Sequence, residues 1–547
     1  MTQLTAPSVA QLAETLVAGL DAEQRAAATL PDGPALIIAP AGSGKTTTLI
    51  ARLGVLLSRG VPADRIAVAT FNREAALELS ARIAVRIVPA LPAAAQIEVR
   101  TLHALARQIL LDRGGHGRLV SDRLPLLRAV LRRAALEAPP DGPALPEAAA
   151  LDTEISAWKV ERRPASHAAL VEAYRSMLAA RGSLDFDDLV VGAADALESD
   201  AALRTRWRAR FSHVCVDEFQ DVDAAQLRLV RLLAEPERNL FVVGDDDQTI
   251  YAWRLADVRR ILGFEAACPG ARRVQLATNY RCPAPVVAIS RRLIGVNRER
   301  FDKVIAAAPS RPMDAESVLA SPSTGMDWAE RLVALAATEV AERRTVCFLA
   351  RTRAELGPML LALMRAGIEH TTAVPAAVQA EPVQRLIDDA RRLPGHLLPF
   401  RALLTLRSGR GWRRSDGSES LADDDHAALD ALLGWSVGMP HLDRFLEAHD
   451  RALERLTALR RPSALVELVT VHGAKGREWQ TVVVLGMEEE RFPNRRALVD
   501  AADPARALEE ERRLAYVALT RATRRLILAF DPARPSRFLT EMGLALP

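Results

Sequence analysis

The amino-acid sequence predicts an α/β protein built on two doubly wound parallel sheets. Short apolar runs, which are typical of buried strands, alternate with longer stretches of helical period. This alternation occurs in two separate parts of the chain, and several of the apolar runs end in glycine-rich or acidic segments. With 547 residues the chain is too long for a single core, and a chain of this size is expected to form about three or four domains.

The first alternation opens with a helix predicted over 15–30. Residues 105–200 are rich in Ala, Leu and Arg and have helical period, with a proline-rich break at 139–143, so they predict a helical insertion. The other elements predicted in this part, in chain order, are a strand at 36–39, a helix at 47–57, a strand at 65–71, a helix at 73–86, and strands at 97–100, 214–216, 240–243 and 273–276.

A boundary is predicted at 309–324, and a second alternation of strands and helices follows it. The stretch 395–462 interrupts this second set with mixed helix and loop and has a polar tip at 407–420. The elements predicted in the second set are a strand at 345–349, a helix at 354–367, strands at 468–471 and 482–485, a helix at 507–521 and a strand at 525–530.

The composition limits the classes of function. The net charge of +3 is small and neither requires nor excludes nucleic acid, because a basic groove can lie on a neutral protein. No apolar run reaches the ~18 residues of a membrane span, and residues 1–20 lack a basic start and an apolar signal core, so we expect a cytoplasmic protein. The four cysteines form no CxxC pair, which argues against a zinc ribbon or an iron–sulfur cluster and fits reduced, mostly buried thiols.

The basic residues of the chain are almost all arginines. Only four of the 72 Lys and Arg residues are lysines, namely Lys45, Lys159, Lys303 and Lys475. Two of them, Lys45 and Lys475, fall inside motifs where a compact ammonium suits a site better than a guanidinium fork.

A glycine-rich loop between a predicted strand and a predicted helix carries the strongest local signal. The backbone N–H groups of such a loop point at phosphate oxygens, and the following helix adds the positive end of its dipole. Lys45 can reach the β- and γ-phosphates, and the Thr46 hydroxyl can bind Mg²⁺. The standard pattern has Gly where this sequence has Ala39, so the interpretation needs support from other motifs. The residues predicted to cradle the phosphates are Ala41, Gly42, Ser43, Gly44, Lys45, Thr46 and Thr47.

Two further predicted strands end in acidic motifs. Asp217 and Glu218 follow one strand, at the carboxyl end where ligands bind in open parallel sheets. Asp217 would hold Mg²⁺, usually through water, and Glu218 would accept a proton from the attacking water. After the next strand, Gln248 follows three aspartates, and a neutral amide there can sense the γ-phosphate without adding another buried charge. A solvated acidic turn is the alternative for any lone Asp-Glu pair.

Aromatic side chains follow this second acidic motif. Tyr251 and Trp253 are flat surfaces on which bases could stack, a contact worth ~1–3 kcal/mol per base that tolerates any sequence. The alternative is that both rings belong to the core. Aromatic residues make up only 4% of the chain, however, and three of its four tyrosines lie in polar motifs.

Two arginines complete the predicted catalytic set. Arg281 follows a strand of the first part, and Arg521 follows a helix of the second part. A guanidinium aimed at a transferring phosphoryl group stabilises the charge that grows in the transition state. With Lys45 in the first sheet and Arg521 in the second, ATP would bind between the sheets, and hydrolysis would be coupled to closing of the cleft. The chain has 68 arginines (72 Lys and Arg less four Lys), so the alternative for either of these two is an ordinary surface position without a catalytic role.

In order and spacing, these motifs resemble those of the UvrD/Rep-type superfamily 1 DNA helicases over residues 20–539. The segment 510–522 is similar to the last motif of that family, and 185–189 is similar to another of its signatures. The resemblance implies two RecA-like motor domains that use ATP and Mg²⁺.

The resemblance also implies roles for single residues. Gln24 would read the adenine, Tyr280 would stack near it, and Glu478 would hold the ribose. Lys45, Thr46, Asp217, Glu218 and Gln248 would form the phosphate, magnesium and water site, with Arg281 and Arg521 on the γ-phosphate from two sides. The positions expected to track DNA are Phe71, Asn72, Thr101, His103, Tyr251, Trp253, Arg254, His472, Lys475 and Phe538.

The sequence departs from the family pattern on the DNA side rather than at the nucleotide. Leu102 and Ala104 stand where Phe and Ser are usual, Leu255 and Gly473 where Gly and Ser are usual, and Arg477 where Leu is usual. The insertion into the second motor domain is much shorter than in the family and lacks its usual Gly-Ile-Gly elements. These departures bear on DNA grip and duplex unwinding, not on ATP hydrolysis.

The predicted domain division follows from the resemblance. Residues 1–104 and 186–308 form the first motor domain, 105–185 its helical insertion, 309–394 and 463–547 the second motor domain, and 395–462 the reduced insertion.

We therefore expect an ATP- and Mg²⁺-dependent motor that tracks single-stranded DNA with 3′→5′ polarity and acts as a DNA helicase in repair or recombination. The expected ligand is single-stranded DNA or its junction with duplex, and the expected state is a cytoplasmic bacterial monomer without a membrane partner. Two alternatives stay open. One is a translocase or ATP-gated subunit of a repair, nuclease or phage-defence complex with little unwinding alone. The other is a nucleotide-switched binding module whose slow turnover DNA does not accelerate.

Overall fold

A computed structural model describes residues 9–115, 117–137, 139, 144–235, 238–311, 317–323, 328–373, 379–412 and 423–544. The chain divides into two compact units. The first comprises residues 1–280 and 298–306, and the second comprises 281–297 and 307–547.

Each of the ten predicted strands lies close to a strand in the described ranges. In chain order the strands in these ranges are β1 Ala35–Ile38, β2 Ile66–Thr70, β3 Glu98–Thr101, β4 Arg118–Leu119, β5 Ser183–Leu184, β6 His213–Val216, β7 Leu240–Gly244, β8 Arg272–Gln275, β9 Thr278–Asn279, β10 Ala306–Ala307, β11 Val318–Pro322, β12 Val346–Ala350, β13 His370–Thr372, β14 Val466–Thr470, β15 Trp479–Val484 and β16 Ala522–Phe530. The structure thus adds six short or edge strands that were not predicted, namely β4, β5, β9, β10, β11 and β13.

Each unit contains one six-stranded sheet, and every pair of neighbouring strands in both sheets is parallel. The strand order is β3-β2-β6-β7-β1-β8 in the first unit and β11-β16-β15-β12-β14-β13 in the second. The prediction of two parallel α/β sheets is confirmed.

The first sheet is buried on both faces. Along β1, Leu36 and Ile38 pack into one apolar cluster, whereas Ala35 and Ile37 pack into the cluster on the other face. Strands covered on both faces read as continuous apolar runs, which is why the sequence showed them clearly. The helices of this unit are Val9–Ala18, Ala22–Ala28, Lys45–Ser58, Arg73–Arg86, Leu102–Asp112, Leu124–Glu137, Ala148–Glu161, Ala168–Ala180, Phe186–Ser199, Ala201–Arg210, Ala224–Ala234, Val258–Leu262 and Phe264–Ala267.

The prediction of one helix over 15–30 is wrong, because the chain forms two helices in this region, Val9–Ala18 and Ala22–Ala28. The Asp21 side chain accepts a hydrogen bond from the Gln24 N–H (2.7 Å), and the Gln24 side chain accepts one from the Asp21 N–H (3.2 Å). This reciprocal capping box starts a new helix at Ala22.

The helical insertion has an apolar core of its own. Leu127, Ile155 and Tyr174 belong to this core and come from three successive helices. The preceding helix, Leu102–Asp112, packs instead into the core of the first sheet, so the predicted boundary at residue 105 falls inside a sheet-packed helix. Of the predicted proline-rich break, residues 140–143 lie outside the described part of the chain.

The signature at 185–189 joins this insertion to the first sheet. Asp185 caps the helix Phe186–Ser199, and its carboxylate also accepts hydrogen bonds from Lys159 (2.7 Å) and from the Tyr174 hydroxyl (2.9 Å). Burial alone would raise the pKa of Asp185, but the charges of Lys159 and Arg123 lower it to about 2. Lys159 is thus a buried structural cation.

The sheet of the second unit contains two strands that the sequence did not indicate, β11 and β13. β11 lies within the segment 309–324, where the sequence predicted a domain boundary and no strand, and it pairs with β16 at the edge of the sheet. Residues 312–316 and 324 of the same segment lie outside the described part, as do residues 413–420 of the predicted polar tip. The helices of this unit are Ala284–Ile294, Trp328–Ala341, Gly357–Ala366, Glu381–Ala390, Pro399–Gly409, Asp423–Ser436, Leu442–Leu459, Arg495–Val499, Pro504–Leu519 and Arg537–Glu541.

The reduced insertion is a small helical body with a separate apolar core. Leu386 from the helix before it packs with Leu403, Leu429 and Phe445 in one cluster. In the part of the chain that the structure describes, no helix is long and apolar enough to cross a membrane. All four cysteine side chains are buried, as expected.

Candidate nucleotide and nucleic-acid site

The strand order of the first sheet brings the predicted nucleotide motifs together. The neighbouring strands β6, β7, β1 and β8 are parallel, so their carboxyl ends lie along one edge. The acid pair follows β6, the Gln248 motif follows β7, the glycine-rich loop follows β1, and the Asn279-Tyr280 segment follows β8 and the short β9. The remaining strands, β2 and β3, end in the motifs predicted to contact DNA.

The glycine-rich loop has the backbone that phosphate binding requires. Gly42 and Gly44 have φ values of 70° and 81°, which residues with a side chain rarely adopt, and Gly44 precedes the first turn of the helix Lys45–Ser58. A Cβ at Gly44 would lie 2.5 Å from Gln24 Nε2. The Lys45 ammonium donates to the Ala39 carbonyl (2.9 Å), and the buried Ser43 hydroxyl has no hydrogen-bond partner among the described residues.

Three residues outside the loop hold it, two through their side chains and one through its backbone. The Gln24 amide donates to the Ser43 carbonyl (2.9 Å), and the Asn279 amide donates to the Ala41 carbonyl (2.9 Å). The Tyr280 backbone N–H donates to the Gly42 carbonyl (2.9 Å), and its hydroxyl donates to Asp21 (2.6 Å). The Tyr280 side chain is nevertheless 38% exposed, so a ring face is available for stacking.

The acid pair is positioned by its own backbone and by a neighbouring amide. Glu218 has φ 52°, a left-handed conformation unusual for a residue with a side chain, and its N–H donates to the Asp217 carboxylate (3.0 Å). The Gln220 amide donates to the Glu218 carboxylate (2.6 Å). Burial and the charge of Glu218 raise the pKa of Asp217 to about 7, although the charge of Lys45 opposes the shift.

These residues fit a divalent cation bound together with phosphates. A buried carboxylate whose pKa is raised by a second carboxylate becomes fully ionised when a cation neutralises the pair. Mg²⁺ usually takes one or two carboxylates and completes its shell with water and phosphate oxygens. Among the described residues, no group of three or more His, Cys, Asp and Glu side chains could hold a metal ion alone. The donors predicted from the sequence are Asp217 and Thr46.

Gln248 is fixed by an aspartate cluster that follows β7. The Gln248 amide donates to Asp245 (2.7 Å), and the Asp245 N–H donates to the Gln220 side chain (3.0 Å). The ammonium of Lys303 lies within 3.0 Å of carboxylate oxygens of Asp245, Asp246 and Asp247. Burial would raise the pKa of Asp245, but the charges of Lys303 and Lys45 keep it below its ordinary value.

The predicted DNA contacts of the first unit form a row of aromatic rings. Phe71, after β2, stacks on Tyr251 with ring centroids 4.9 Å apart, and Tyr251 meets Trp253 edge-on at 6.3 Å. The Arg254 guanidinium lies over the Trp253 ring at 4.6 Å. Trp253 is 56% exposed, so much of its side chain is accessible to a ligand.

The other predicted contacts of this unit serve partly as helix caps. The Asn72 side chain accepts from the Ala75 N–H (2.7 Å), and the Thr101 hydroxyl accepts from the Ala104 N–H (3.2 Å). The His103 ring meets the edge of Phe186 at 5.4 Å, and burial lowers the pKa of His103, so this imidazole is neutral at pH 7.

In the second unit, two predicted nucleotide residues contact each other. Arg281 donates to the exposed Glu478 carboxylate (2.7 Å). Arg521 is buried, and its guanidinium donates to the carbonyls of Val517 (2.9 Å) and Arg477 (3.2 Å). A phosphate group would have to compete with these contacts.

The remaining predicted DNA residues of the second unit differ in accessibility. His472 and Lys475 are half-buried in the loop after β14. The Phe538 ring is fully buried and packs edge-on against Phe492 at 5.8 Å, so as placed it has no face for a base and serves in packing. A Cβ at Gly473, where the family has Ser, would lie 2.7 Å from a Val469 methyl group.

Several site residues were not found from the sequence. Three of them are Lys303, Gln220 and Asn279. Their hydrogen bonds reach Asp245 or the backbone of a motif far away in the chain, and no pattern of neighbouring residues indicates such contacts. Phe186 could have been found, because it lies in the 185–189 signature and is an aromatic residue with a 41% exposed side chain next to His103.

A glycine-rich loop, an acid pair and a sensor amide at one edge of a parallel sheet define a nucleoside-triphosphate-binding protein of the P-loop class. The family model for the UvrD/REP helicase N-terminal domain matches residues 20–128 and 143–269, and that for the UvrD-like helicase C-terminal domain matches residues 439–531. The chain belongs to the UvrD/Rep helicase family, and its two sheets are the RecA-like motor domains of that family.

The chain is similar to curated relatives over most of its length. The ATP-dependent DNA helicase UvrD2 of Mycobacterium tuberculosis is 30% identical, with 96% of this chain and 82% of the relative covered. The ATP-dependent DNA helicases PcrA of Leuconostoc citreum and Staphylococcus aureus are 28% and 26% identical, covering 97% and 96% of this chain and 85% and 86% of the relatives. The UvrD2 alignment spans 603 positions, more than the 547 residues of this chain, so the relative has segments that this chain lacks.

Proposed function

We propose that this chain is an ATP-dependent DNA helicase that moves 3′→5′ along single-stranded DNA and acts in DNA repair or recombination. One observation carries the proposal. The phosphate loop, the acid pair and Gln248 share one edge of the first sheet. The loop that holds Gln248 continues directly to Tyr251 and Trp253, and Phe71, after β2, stacks on Tyr251. A movement of Gln248 in response to the γ-phosphate would therefore be passed along a few residues of backbone to the rings on which bases stack.

In the proposed reaction, Lys45 and the loop N–H groups hold the phosphates, and Gln24 and Tyr280 hold the adenine. Mg²⁺, held by Asp217 and Thr46, would neutralise charge on the phosphates. Glu218 takes the proton of the attacking water, and Gln248 orients that water against the γ-phosphate. Glu478 holds the ribose, and Arg281 and Arg521 stabilise the charge on the transferring phosphoryl group.

The proposed DNA path uses stacking and phosphate contacts without sequence readout. The rings of the first unit stack on bases. The DNA strand is also contacted by side chains of both units: Asn72, Thr101, His103 and Arg254 in the first unit, and His472 and Lys475 in the second. Binding of this kind weakens steeply with salt, because each neutralised phosphate of single-stranded DNA contributes a slope of about −0.7 in log K against log salt. In the proposed domain division, 105–185 and 395–462 are insertions into the first and second motor domains.

The proposed activity is tested by measuring ATP hydrolysis with single-stranded DNA, with RNA and without a polymer. We expect single-stranded DNA to raise kcat at least tenfold, as for a motor whose chemistry is completed by the polymer, on the scale of ~1–10³ s⁻¹ common for enzymes. Slow turnover that DNA does not change would instead favour a nucleotide-switched binding module and would contradict the motor.

A second candidate is a translocase that strips proteins from DNA or powers a partner nuclease while unwinding little alone. The reduced insertion favours it, because its core is a small cluster of helices and the relatives carry segments that this chain lacks. A forked-duplex strand-separation assay beside a streptavidin-displacement assay distinguishes the two. Displacement without strand separation would support the translocase, and strand separation by the chain alone would support the helicase.

Trp253→Ala is expected to weaken binding of single-stranded DNA by about 10-fold or more, because base–aromatic stacking is worth ~1–3 kcal/mol per base. The measurement is fluorescence anisotropy of a labelled oligonucleotide at fixed salt. Trp158→Ala, in the separate core of the helical insertion, is the matched control and should leave affinity within about threefold. Equal affinity of the Trp253 variant and the wild type would remove Trp253 from the DNA path.

A further inference from the structure

The ammonium of Lys303 is a fully buried charge next to the nucleotide motifs. Its side chain is 0% exposed and lies 2.6 Å from Asp245, 2.5 Å from Asp246 and 3.0 Å from Asp247, all of them 0% exposed as well. Lys303 is one of only four lysines in the chain. Three converging carboxylates suit an ammonium with three donors better than a planar guanidinium.

The contacts of Asp245 connect this ammonium to the predicted chemistry. One carboxylate oxygen of Asp245 accepts from Lys303, and the other accepts from the Gln248 amide (2.7 Å). The backbone N–H of Asp245 donates to the Gln220 side chain, whose amide donates to the Glu218 carboxylate (2.6 Å). The orientation of the sensor amide and that of the general base therefore depend on one aspartate, which Lys303 holds.

We infer that Lys303 is a positioning residue for ATP hydrolysis, whose buried ammonium fixes Asp245 and, through it, Gln248 and the Gln220–Glu218 pair. The inference rests on the proposed function. Lys303 does not touch the nucleotide in this role; it sets where the amide and the carboxylate point. A displacement of about 1 Å in such groups can lower turnover about 10²-fold while substrate binding stays intact.

The neighbouring Arg300 provides the matched comparison. Within the described part of the chain, the Arg300 guanidinium donates only to Asp247 (2.8 and 3.0 Å), so its loss removes a cation from the same buried cluster without freeing Asp245. If the cluster only stabilises the fold, Lys303→Met and Arg300→Gln should both lower Tm, and the two folded variants should have the same kcat. If Lys303 positions Gln248, only the Lys303 variant should lose kcat.

The test measures kcat and KM for ATP with single-stranded DNA, ADP affinity by calorimetry, and Tm. We expect Lys303→Met to lower kcat about 100-fold, with KM and ADP affinity within about threefold, and Arg300→Gln to keep kcat within about threefold. Lys303→Met combined with Gln248→Ala should lose less kcat than the product of the two single losses, because part of the Lys303 effect passes through the Gln248 amide. Should Lys303→Met not fold, the charge-balanced Lys303→Met/Asp246→Asn takes its place with the same expectation.

The outcomes separate this inference from the proposed function. A wild-type chain without DNA-stimulated ATP hydrolysis overturns both. Suppose that the wild-type chain hydrolyses ATP. The role of Lys303 alone is then overturned if the folded Lys303 variant has the same kcat as Arg300→Gln, or if the losses of kcat from Lys303→Met and Gln248→Ala are additive in free energy in the double variant.

Discussion

Glu218→Gln is expected to lower the kcat of DNA-stimulated ATP hydrolysis about 10³-fold, within the range of ~10²–10⁴ assigned to general bases. The substitution preserves shape, and the new amide oxygen can still accept the hydrogen bond from Gln220. It removes the ability to accept a proton from water. Burial and the charge of Glu218 both raise the pKa of Asp217, and the substitution removes that charge, so Asp217 stays able to bind a cation. ATP should therefore bind with an affinity within about threefold of wild type, measured by calorimetry beside steady-state hydrolysis.

Glu172→Gln is the matched control for this prediction. Glu172 is an exposed carboxylate of the helical insertion that pairs with Arg175, so its change should leave both kcat and ATP affinity unaltered. A Glu218 variant that keeps more than a tenth of wild-type turnover would show that another group takes the proton. Loss of ATP binding together with turnover would instead assign Glu218 to the binding of the nucleotide.

The sheets and the nucleotide motifs were readable from the sequence for a physical reason. Parallel strands such as β1, β6 and β7 are buried on both faces, so they appear as uninterrupted apolar runs. The motifs then follow where each run stops, because ligands bind at the carboxyl ends of such strands. β11 was missed because it is a half-exposed edge strand that ends in Pro322, and edge strands tolerate proline.

The contacts that support the site were not readable, since they join distant parts of the chain. Lys303 meets Asp245 across 58 positions of sequence, and Asn279 meets Ala41 across 238. Leu255 shows a related limit. It adopts φ 63° at a position where the family has Gly, and a left-handed residue with a side chain costs roughly 1–2 kcal/mol. The sequence showed the substitution but not the backbone that it must adopt.

Arg521→Lys is expected to lower kcat by about 10²–10³-fold while KM for ATP changes little. An arginine that stabilises charge on the transferring phosphoryl group is worth about 10³–10⁵ in turnover, and a lysine keeps the charge but loses the fork that can contact two oxygens at once. The substitution retains a donor for the carbonyls of Val517 and Arg477, which favours folding. Steady-state hydrolysis at saturating single-stranded DNA measures both constants.

Arg524→Lys is the control, because Arg524 lies three residues further along, makes its ion pair with Glu339 and should keep wild-type turnover. Arg521 belongs to the unit that lacks the phosphate loop. A selective loss of kcat in the Arg521 variant would therefore make hydrolysis depend on both units, as a motor requires. Wild-type kcat in a folded Arg521 variant would mean that the first unit hydrolyses ATP by itself, and the coupling of hydrolysis to DNA movement would need another route.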